Sequence, residues 1–209
     1  MKSQAANDLL SLLRNDSISA FLSHSRFLAV GTSSGKVVLC DHEGNIIQEV
    51  TSHSGDITCL KIDSKAEIII STSSDGQVKI ISLFGDEEIE QKLRFRTPIW
   101  SAAISPDYVS SGKVAVASEK ITLCERGLLG SKKSTVLAMG VHGKVSNIEW
   151  RYDTITWADQ KDLKVFDIVQ ERNLQNIKDL NTVKGPFLQG PFLHVRKSKK
   201  GTLGFQLGF

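Results

Sequence analysis

The stretch Ser34-Gly35-Lys36-Val37-Val38-Leu39-Cys40-Asp41 decides the fold, because three similar stretches follow it along the chain. They are DGQVKIIS at residues 75–82, EKITLCE at residues 119–125 and KDLKVFD at residues 161–167. The first apolar residues of the four stretches follow one another at intervals of 41, 43 and 42 residues, at Val37, Val78, Ile121 and Leu163. A repeat of this length predicts an array of similar structural units stacked side by side.

Each unit is predicted to contain four short β-strands. Runs of β-branched and aliphatic residues alternate with turn pairs such as Ser34-Gly35, Gly44-Asn45 and Asp75-Gly76, which is typical of strands joined by tight turns. The units show no helical periodicity, so a βαβ arrangement is excluded. Four strands in a period of about 40–45 residues are typical of WD40 repeats. The predicted fold class is therefore all-β: a partial WD40-type β-propeller of about four four-stranded blades, with a short N-terminal helix and a disordered C-terminal tail.

The Trp-Asp pair that gives this repeat its name is degraded. The position that tryptophan would hold, at the end of the third strand, is apolar in every unit and carries Cys40, Ile81, Cys124 and Phe166. The aspartate position carries Asp41, Ser82, Glu125 and Asp167. We predict that the first set lies in the core, which accounts for two of the three cysteines as small buried hydrophobic side chains.

Glycines and histidines mark the turns of the repeat. Gly35 and Gly76 occupy the same turn in units one and two, before the third strand. His53 and His142 each open a unit, in His53-Ser54-Gly55 and His142-Gly143. We predict that each histidine ties the turn between two blades by hydrogen bonds rather than serving catalysis or binding a ligand.

The chain divides into an amphipathic segment at residues 1–17, propeller blades at residues 18–178 and a low-structure basic tail at residues 179–209. In the first segment the spacing of Ala5, Leu9, Leu12 and Leu13 predicts a short amphipathic helix. We favour a helix that packs on the propeller. Contact with a membrane surface or a partner protein through Leu9, Leu12 and Leu13 is the alternative, and the scarcity of basic residues weakens the membrane case.

The tail accounts for the positive net charge of the chain. Residues 181–209 hold 5 of the 26 basic residues and no acidic one, so the net charge of +3 becomes −2 for the rest of the chain. Because the positive net charge lies in the tail, it does not indicate that the predicted propeller blades bind nucleic acid. Glycine, proline and like charges without periodicity predict disorder. A solvated tail is the favoured interpretation, and contact with an anionic surface or a nuclear signal is the alternative, through Lys197, Lys199 and Lys200.

The sequence contains two partial matches to catalytic motifs and no metal-binding pattern, and neither match has the structural context that its chemistry needs. The segment 31–35 matches the G-x-S-x-G pattern of serine hydrolases, but here it joins two predicted strands, whereas that elbow joins a strand to a helix. Extended by Lys36, it also imitates a phosphate loop, with the glycine spacing one residue short and no helix following. The three cysteines form no CxxC pair and the five histidines have no metal-ligand spacing. We expect no enzyme activity and no cofactor.

The N-terminus and the hydropathy predict a cytosolic protein. No apolar run approaches the roughly 18 residues that a membrane span needs, and the start of the chain lacks the apolar core and cleavage site of a signal peptide.

Several stretches resemble one family. They are 27–32, 35–46, 74–79, 120–126, 145–151, 155–158 and 163–168. Together they are similar to the N-terminal propeller of the vacuolar protein sorting protein forty-one family, whose members are subunits of the HOPS tethering complex. The pairs Trp150-Arg151 and Trp157-Ala158 are unusual in generic WD40 blades and carry most of the specificity. The resemblance covers about residues 18–178.

The resemblance implies a protein-interaction scaffold in the fusion of endosomes with lysosomes or vacuoles. It implies other tethering subunits as partners, a Rab-type small GTPase or an adaptor, and a peripheral position on late endosomal, lysosomal or vacuolar membrane. In the family the propeller continues for several more blades, followed by an α-solenoid and a RING-like end. A fragment, a truncated isoform and an incomplete gene model are the interpretations left open. The rival function is a WD40 scaffold or substrate receptor unrelated to membrane traffic.

Overall fold

The computed structural model describes residues 7–83, 90–126, 132–139, 141, 143–177, 193–197 and 203–207. Strands dominate these residues, with two short helices, α1 (Asn7–Leu13) and α2 (Tyr108–Ser111). The predicted all-β class and the four four-stranded blades are confirmed by four antiparallel sheets, each with its strands in chain order.

The four sheets are the blades, numbered here in chain order. Blade 1 contains β1 (Ile18–His24), β2 (Phe27–Thr32), β3 (Lys36–Cys40) and β4 (Ile46–Ser52). Blade 2 contains β5 (Ile57–Ile62), β6 (Ile68–Ser73), β7 (Gln77–Ser82) and β8 (Glu90–Arg94). Blade 3 contains β9 (Ser101–Ile104), β10 (Lys113–Ala117), β11 (Ile121–Arg126) and β12 (Lys132–Ala138). Blade 4 contains β13 (Asn147–Arg151), β14 (Thr154–Ala158), β15 (Leu163–Asp167) and β16 (Arg172–Ile177).

Successive blades pack face to face. The first strand of each blade contacts the first strand of the next, so β1, β5, β9 and β13 follow one another on the inner side of the array. Each interface between blades has its own apolar cluster. One joins blades 1 and 2 around Val37 and Ile69, one joins blades 2 and 3 around Val78 and Val116, and one joins blades 3 and 4 around Trp157. Burial of both faces explains why the second strands β2 and β10 are nearly continuous runs of apolar and small residues.

Period-two alternation assigns each strand residue to one of these interfaces. In β3, Val37 and Leu39 belong to the cluster shared with blade 2, while Val38 and Cys40 belong to a separate cluster on the opposite face. The opposite face of blade 1 is covered by α1, whose Leu9 and Leu12 pack against it. In the structure, α1 thus lies on the propeller through Leu9 and Leu12.

Two features differ from the sequence expectation. The helix α2 was not predicted, and it is bracketed by Asp107 and by Gly112, which is left-handed with φ 61°. Within the segment predicted to lack structure, residues 179–209, strands β17 (Leu193–Lys197) and β18 (Leu203–Leu207) form an antiparallel pair. Their alternation of apolar and other residues in the sequence is a strand signal that the glycines, prolines and like charges of the tail obscured.

Candidate functional site

The turn between blades 1 and 2 is held by a buried histidine. His53 Nε2 lies 2.9 Å from Ser71 Oγ on β6, and its Nδ1 lies 3.3 Å from Asp75 Oδ2 in the turn between β6 and β7. Asp75 also accepts the backbone N–H groups of Ser54, at 3.0 Å, and Gln77, at 2.8 Å. These contacts fasten the connection between blades 1 and 2 to the second blade.

The same three side chains have the composition of a serine-protease triad, so their accessibility decides what they can do. Ser71 is 1% exposed and the His53 side chain is fully buried, so a substrate carbonyl cannot reach the hydroxyl that would attack it. Burial alone would raise the pKa of Asp75, but the N–H groups of Ser54 and Gln77 and the neighbouring imidazole lower it. The arrangement is therefore a structural tie that keeps a carboxylate ionised beside a buried histidine.

The repeated glycines Gly35 and Gly76 do equivalent work in blades 1 and 2. Both are left-handed, with φ of 95° and 78°, and each accepts a hydrogen bond of 2.8 Å from the residue that follows the fourth strand, His53 or Phe95. A Cβ at Gly35 would lie 2.3 Å from the His53 carbonyl oxygen, and one at Gly76 would lie 2.7 Å from the Phe95 carbonyl oxygen. Both conformation and space therefore require glycine.

In blades 2, 3 and 4 the degraded tryptophan position packs toward the preceding blade. Ile81 belongs to the cluster shared with blade 1, Cys124 packs on the cluster shared with blade 2, and Phe166 belongs to the cluster shared with blade 3. Cys40 is fully buried under α1, and burial raises the pKa of its thiol. A buried, protonated thiol is a poor nucleophile.

The aspartate position organises the turn into the fourth strand. Asp41 Oδ1 accepts the N–H groups of Glu43, at 3.0 Å, and Asn45, at 2.8 Å. The hydrogen bond from the Asn45 side chain lowers the pKa of Asp41 most strongly. Asp167 accepts two N–H groups of its own turn at 2.9 Å, whereas Glu125 instead forms an ion pair with Lys113 at 3.6 Å.

The segment that imitates a hydrolase elbow is a turn fastened to the N-terminal segment. Ser33 Oγ lies 2.8 Å from Ser17 Oγ, and both the hydroxyl and the N–H of Ser34 donate to the Asp16 carboxylate. Partial burial would raise the pKa of Asp16, but the Ser34 and Thr32 hydroxyls and the Ser17 and Ser34 N–H groups lower it to about 2. Through these hydrogen bonds the Asp16 carboxylate attaches the connection between α1 and β1 to blade 1.

An ion pair reaches from blade 2 to blade 4 along the inner strands. Lys61 on β5 donates to Glu149 Oε1 and, at 3.2 Å, to Asn147 Oδ1 on β13. Burial would lower the pKa of Lys61, but Cys59 and Glu149 raise it above its usual value. The pair links two blades that are not neighbours in the array.

Blade 4 exposes an aromatic and an aliphatic side chain on adjacent turns. Tyr152 is 89% exposed and Val169 is 73% exposed. The backbone of Tyr152 is left-handed, with φ 50°, and its carbonyl accepts the Trp150 indole N–H at 3.0 Å. A hydrogen bond of 2.9 Å from the N–H of Ile168 to the Asp153 carbonyl joins the two turns. Exposed side chains on a fixed backbone are suited to protein contact.

Other predicted contact residues are placed as follows. Leu9 and Leu12 pack on blade 1, and Leu13 is half-buried outside that cluster. Lys197 lies at the end of β17. His142, Lys199 and Lys200 lie outside the described residues.

The described part of the chain contains neither a metal-binding cluster nor a membrane-spanning helix. No group of three or more histidine, cysteine or acidic side chains there could hold a metal ion. None of the helices described is long and apolar enough to cross a membrane.

The fold and these turns define a β-propeller of the WD40 type. A solved structure supports the fold: the Cps50 (Swd1) β-propeller domain of Myceliophteria thermophila matches with a TM-score of 0.66 at 18% identity, over 88% of this chain and 60% of that one. A family model for the Vps41 β-propeller, described as "Vps42 beta-propeller", matches residues 3–200. The chain therefore belongs to the Vps41 β-propeller family, and the resemblance inferred from the sequence is confirmed.

Curated relatives carry the same family name. The vacuolar protein sorting-associated protein 41 homolog of Homo sapiens is 32% identical over 174 residues, which cover 82% of this chain and 20% of that protein. The homolog of Arabidopsis thaliana is 31% identical over 171 residues, covering 80% of this chain and 17% of that protein. The chain thus spans about a fifth of the length of these relatives.

Proposed function

We propose that this chain is a protein-binding propeller module that acts in vacuolar protein sorting, as part of a HOPS-like tethering complex. The observation that carries the proposal is the family match over residues 3–200, together with relatives named for vacuolar protein sorting. The proposed partners are other tethering subunits and a Rab-type small GTPase or adaptor. The proposed location is peripheral, on late endosomal, lysosomal or vacuolar membrane.

Two features of the structure support a binding role: the turns are rigid, and the group of side chains that resembles a reaction centre is closed to substrates. Its Ser-His-Asp arrangement is inaccessible, and its turns are fixed by buried carboxylates and by glycines with no room for a side chain. A scaffold of this kind presents side chains without rearranging, which lowers the entropic cost of association. Tyr152 and Val169 are the contact candidates that the geometry favours, because both are exposed on turns joined to each other.

The test is to tag the endogenous gene at its N-terminus and to record the product mass, the co-purifying proteins and the intracellular distribution. Tethering subunits in the purified complex and puncta on late endosomes or vacuoles are expected. A diffuse product that recovers ubiquitin-ligase or kinase components would overturn the proposal in favour of a scaffold unrelated to membrane traffic.

A surface variant separates recognition from folding. Tyr152→Ala combined with Val169→Ser is expected to reduce recovery of at least one partner while leaving the abundance of the product unchanged, since neither side chain is buried. The matched control is Met139→Ala, which removes another side chain that is 73% exposed, on blade 3. Equal loss of partners in both variants would contradict the assignment of blade 4 as the binding surface. It would leave the proposed tethering role unaffected.

A further inference from the structure

A groove of about 610 Å³ lies between the outer strands of blades 2 and 3. Its apolar floor is formed by side chains that also pack on the cluster between these blades: Ile80, Leu93, Phe95, Val114 and Cys124. The volume is within the range of about 300–1,000 Å³ in which proteins bind ligands. Both blades contribute to the floor, so one large apolar side chain placed on it would contact apolar side chains of blades 2 and 3.

The charge along this groove is predominantly positive. Arg94, Arg126 and Lys133 line it and are exposed. Among the lining residues that the structure describes, Glu125 is the one acidic side chain, and it already forms an ion pair with Lys113 at 3.6 Å. A ligand with carboxylates beside its apolar group would therefore gain both burial and charge-assisted hydrogen bonds.

Arg126 is held in place before any ligand arrives. Its guanidinium lies 6.0 Å from the centre of the Tyr108 ring and donates to the Val109 carbonyl at 3.3 Å. Tyr108 is itself 3% exposed, and its hydroxyl donates to the Gln91 side chain at 3.2 Å, which joins blade 3 to blade 2. An arginine with several donors and a restrained position can bind a carboxylate at a smaller loss of side-chain entropy.

The backbone on the two sides of the groove favours a peptide over a small molecule. Strand β8 ends the sheet of blade 2 and strand β12 ends the sheet of blade 3. In the part of the chain that the structure describes, neither strand pairs with a further strand on its outer side. Their outward N–H and C=O groups can hydrogen-bond an extended backbone, which is how exposed sheet edges recognise peptides.

We propose that the groove between blades 2 and 3 binds an extended acidic peptide, with a large aliphatic or aromatic side chain in the apolar floor and an adjacent carboxylate on Arg126. The partner segment is thus defined by its chemistry, as one apolar anchor flanked by aspartate or glutamate. The inference does not depend on the tethering role, because it uses only the geometry and charge of the groove.

A library of random heptapeptides displayed on phage and panned on the purified chain provides the test. Recovered sequences should be enriched in aspartate or glutamate next to leucine, isoleucine, phenylalanine, methionine or tryptophan. An enriched peptide, labelled with fluorescein, then gives a Kd by fluorescence polarisation. Its affinity should fall as the salt concentration rises from about 50 mM to about 300 mM, because exposed charges are screened.

Two variants address the groove independently. Arg126→Glu reverses the central charge, and Ser134→Trp fills the groove at an exposed lining position without changing any charge. Each should weaken the peptide at least about tenfold, a loss of about 1.4 kcal/mol. The matched control is Arg172→Glu, an exposed arginine on blade 4, which should leave the Kd within about twofold of the original value.

Circular dichroism and thermal unfolding of each variant establish that the fold is retained. Recovery of peptides without acidic residues, or no enrichment over the input library, overturns the proposal. It is equally overturned if both groove variants fold and bind the enriched peptide as tightly as the original chain does.

Discussion

Replacement of His53 by alanine tests whether the buried tie between blades 1 and 2 is a main source of stability. The substitution removes the partner of Ser71, at 2.9 Å, and of Asp75, at 3.3 Å. Ser71 is 1% exposed and the Asp75 side chain 6% exposed, so water cannot easily replace the lost contacts. The substitution also leaves space where the imidazole was, next to the Gly35 turn that receives the His53 N–H.

The expected magnitude follows from these two partners. A buried polar group left without its hydrogen bond costs about 1–3 kcal/mol. Asp75 keeps the N–H groups of Ser54 and Gln77, so its share lies at the low end, whereas Ser71 loses its imidazole partner entirely. We expect the free energy of unfolding to fall by about 2–4 kcal/mol, a large part of the roughly 5–15 kcal/mol typical of a domain.

Urea unfolding followed by two signals locates the loss. Far-ultraviolet circular dichroism reports strands in all four blades, whereas tryptophan fluorescence reports the interface of blades 3 and 4, where Trp150 and Trp157 lie and Trp100 packs. Repeat arrays can lose units locally, because each unit contacts mainly its neighbours. In His53→Ala the dichroism transition should therefore begin at lower urea than the fluorescence transition.

The control for this experiment is His42→Ala. The His42 ring is exposed and makes one hydrogen bond, of 3.2 Å, to the Ser25 carbonyl, so its loss should change the free energy of unfolding by no more than about 0.5 kcal/mol. Equal effects of the two substitutions would refute the assignment of His53 as the tie between blades 1 and 2, whereas coincident shifts of both signals in His53→Ala would show that the four blades unfold together.

Three further predictions concern other features of the same fold. Gly76→Ala should destabilise the chain by about 2–3 kcal/mol, because its φ of 78° and a carbonyl 2.7 Å from the new Cβ both oppose a side chain. Leu12→Asp should speed the reaction of Cys40 with a thiol reagent at least about tenfold, since α1 covers that thiol. Asp16→Asn should flatten the dependence of the urea midpoint on pH between about 4 and 2: the folded pKa of about 2 lies below the usual aspartate value of 3.8, so the wild-type carboxylate stabilises the fold above pH 4 and loses that effect as pH falls.

Each of these predictions has its own contrary result. Gly44→Ala is the control for glycine, because Gly44 has φ 89° but no atom of the described residues lies within 4 Å of a new Cβ; equal losses would show that the close carbonyl is irrelevant. Leu10→Asp, at a position 57% exposed on the same helix, should leave the thiol as unreactive as before. For Asp16, parallel pH profiles of variant and wild type would contradict the assigned hydrogen bonds.

The sequence was sufficient for features that depend on the repeat. The period placed the third strands of all four blades, and the alternation within β3 and β15 gave the core positions Cys40 and Phe166. The hydrogen-bond partners of the turn residues could not be derived in the same way. Ser71 pairs with His53 across 18 residues, and a serine in a strand carries no mark that distinguishes it from any other polar residue.

The groove between blades 2 and 3 could not be predicted either, because it also depends on contacts between residues that are far apart in the sequence. Its floor combines side chains from β7, β8, β10 and β11, so it exists only once two separate sheets have packed. The helix α2, which supplies Tyr108, has four residues and shows no helical period in the sequence. The available signal was local: Asp107 before the helix and Gly112 after it are residues that often flank short helical turns.

In blade 1 the degraded tryptophan position stays apolar and buried, but it packs against a helix instead of a preceding blade. Ile81, Cys124 and Phe166 each pack toward the preceding blade, whereas the equivalent Cys40 packs against Leu9 and Leu12 of α1. The helix therefore supplies the apolar cover that a preceding blade supplies elsewhere. A seven-residue helix covers less area than a four-stranded sheet, and Phe21 on the same face of blade 1 is still 55% exposed. The Phe21 ring is therefore apolar surface that α1 leaves uncovered, and the face under α1 is where blade 1 can still gain burial from further contacts.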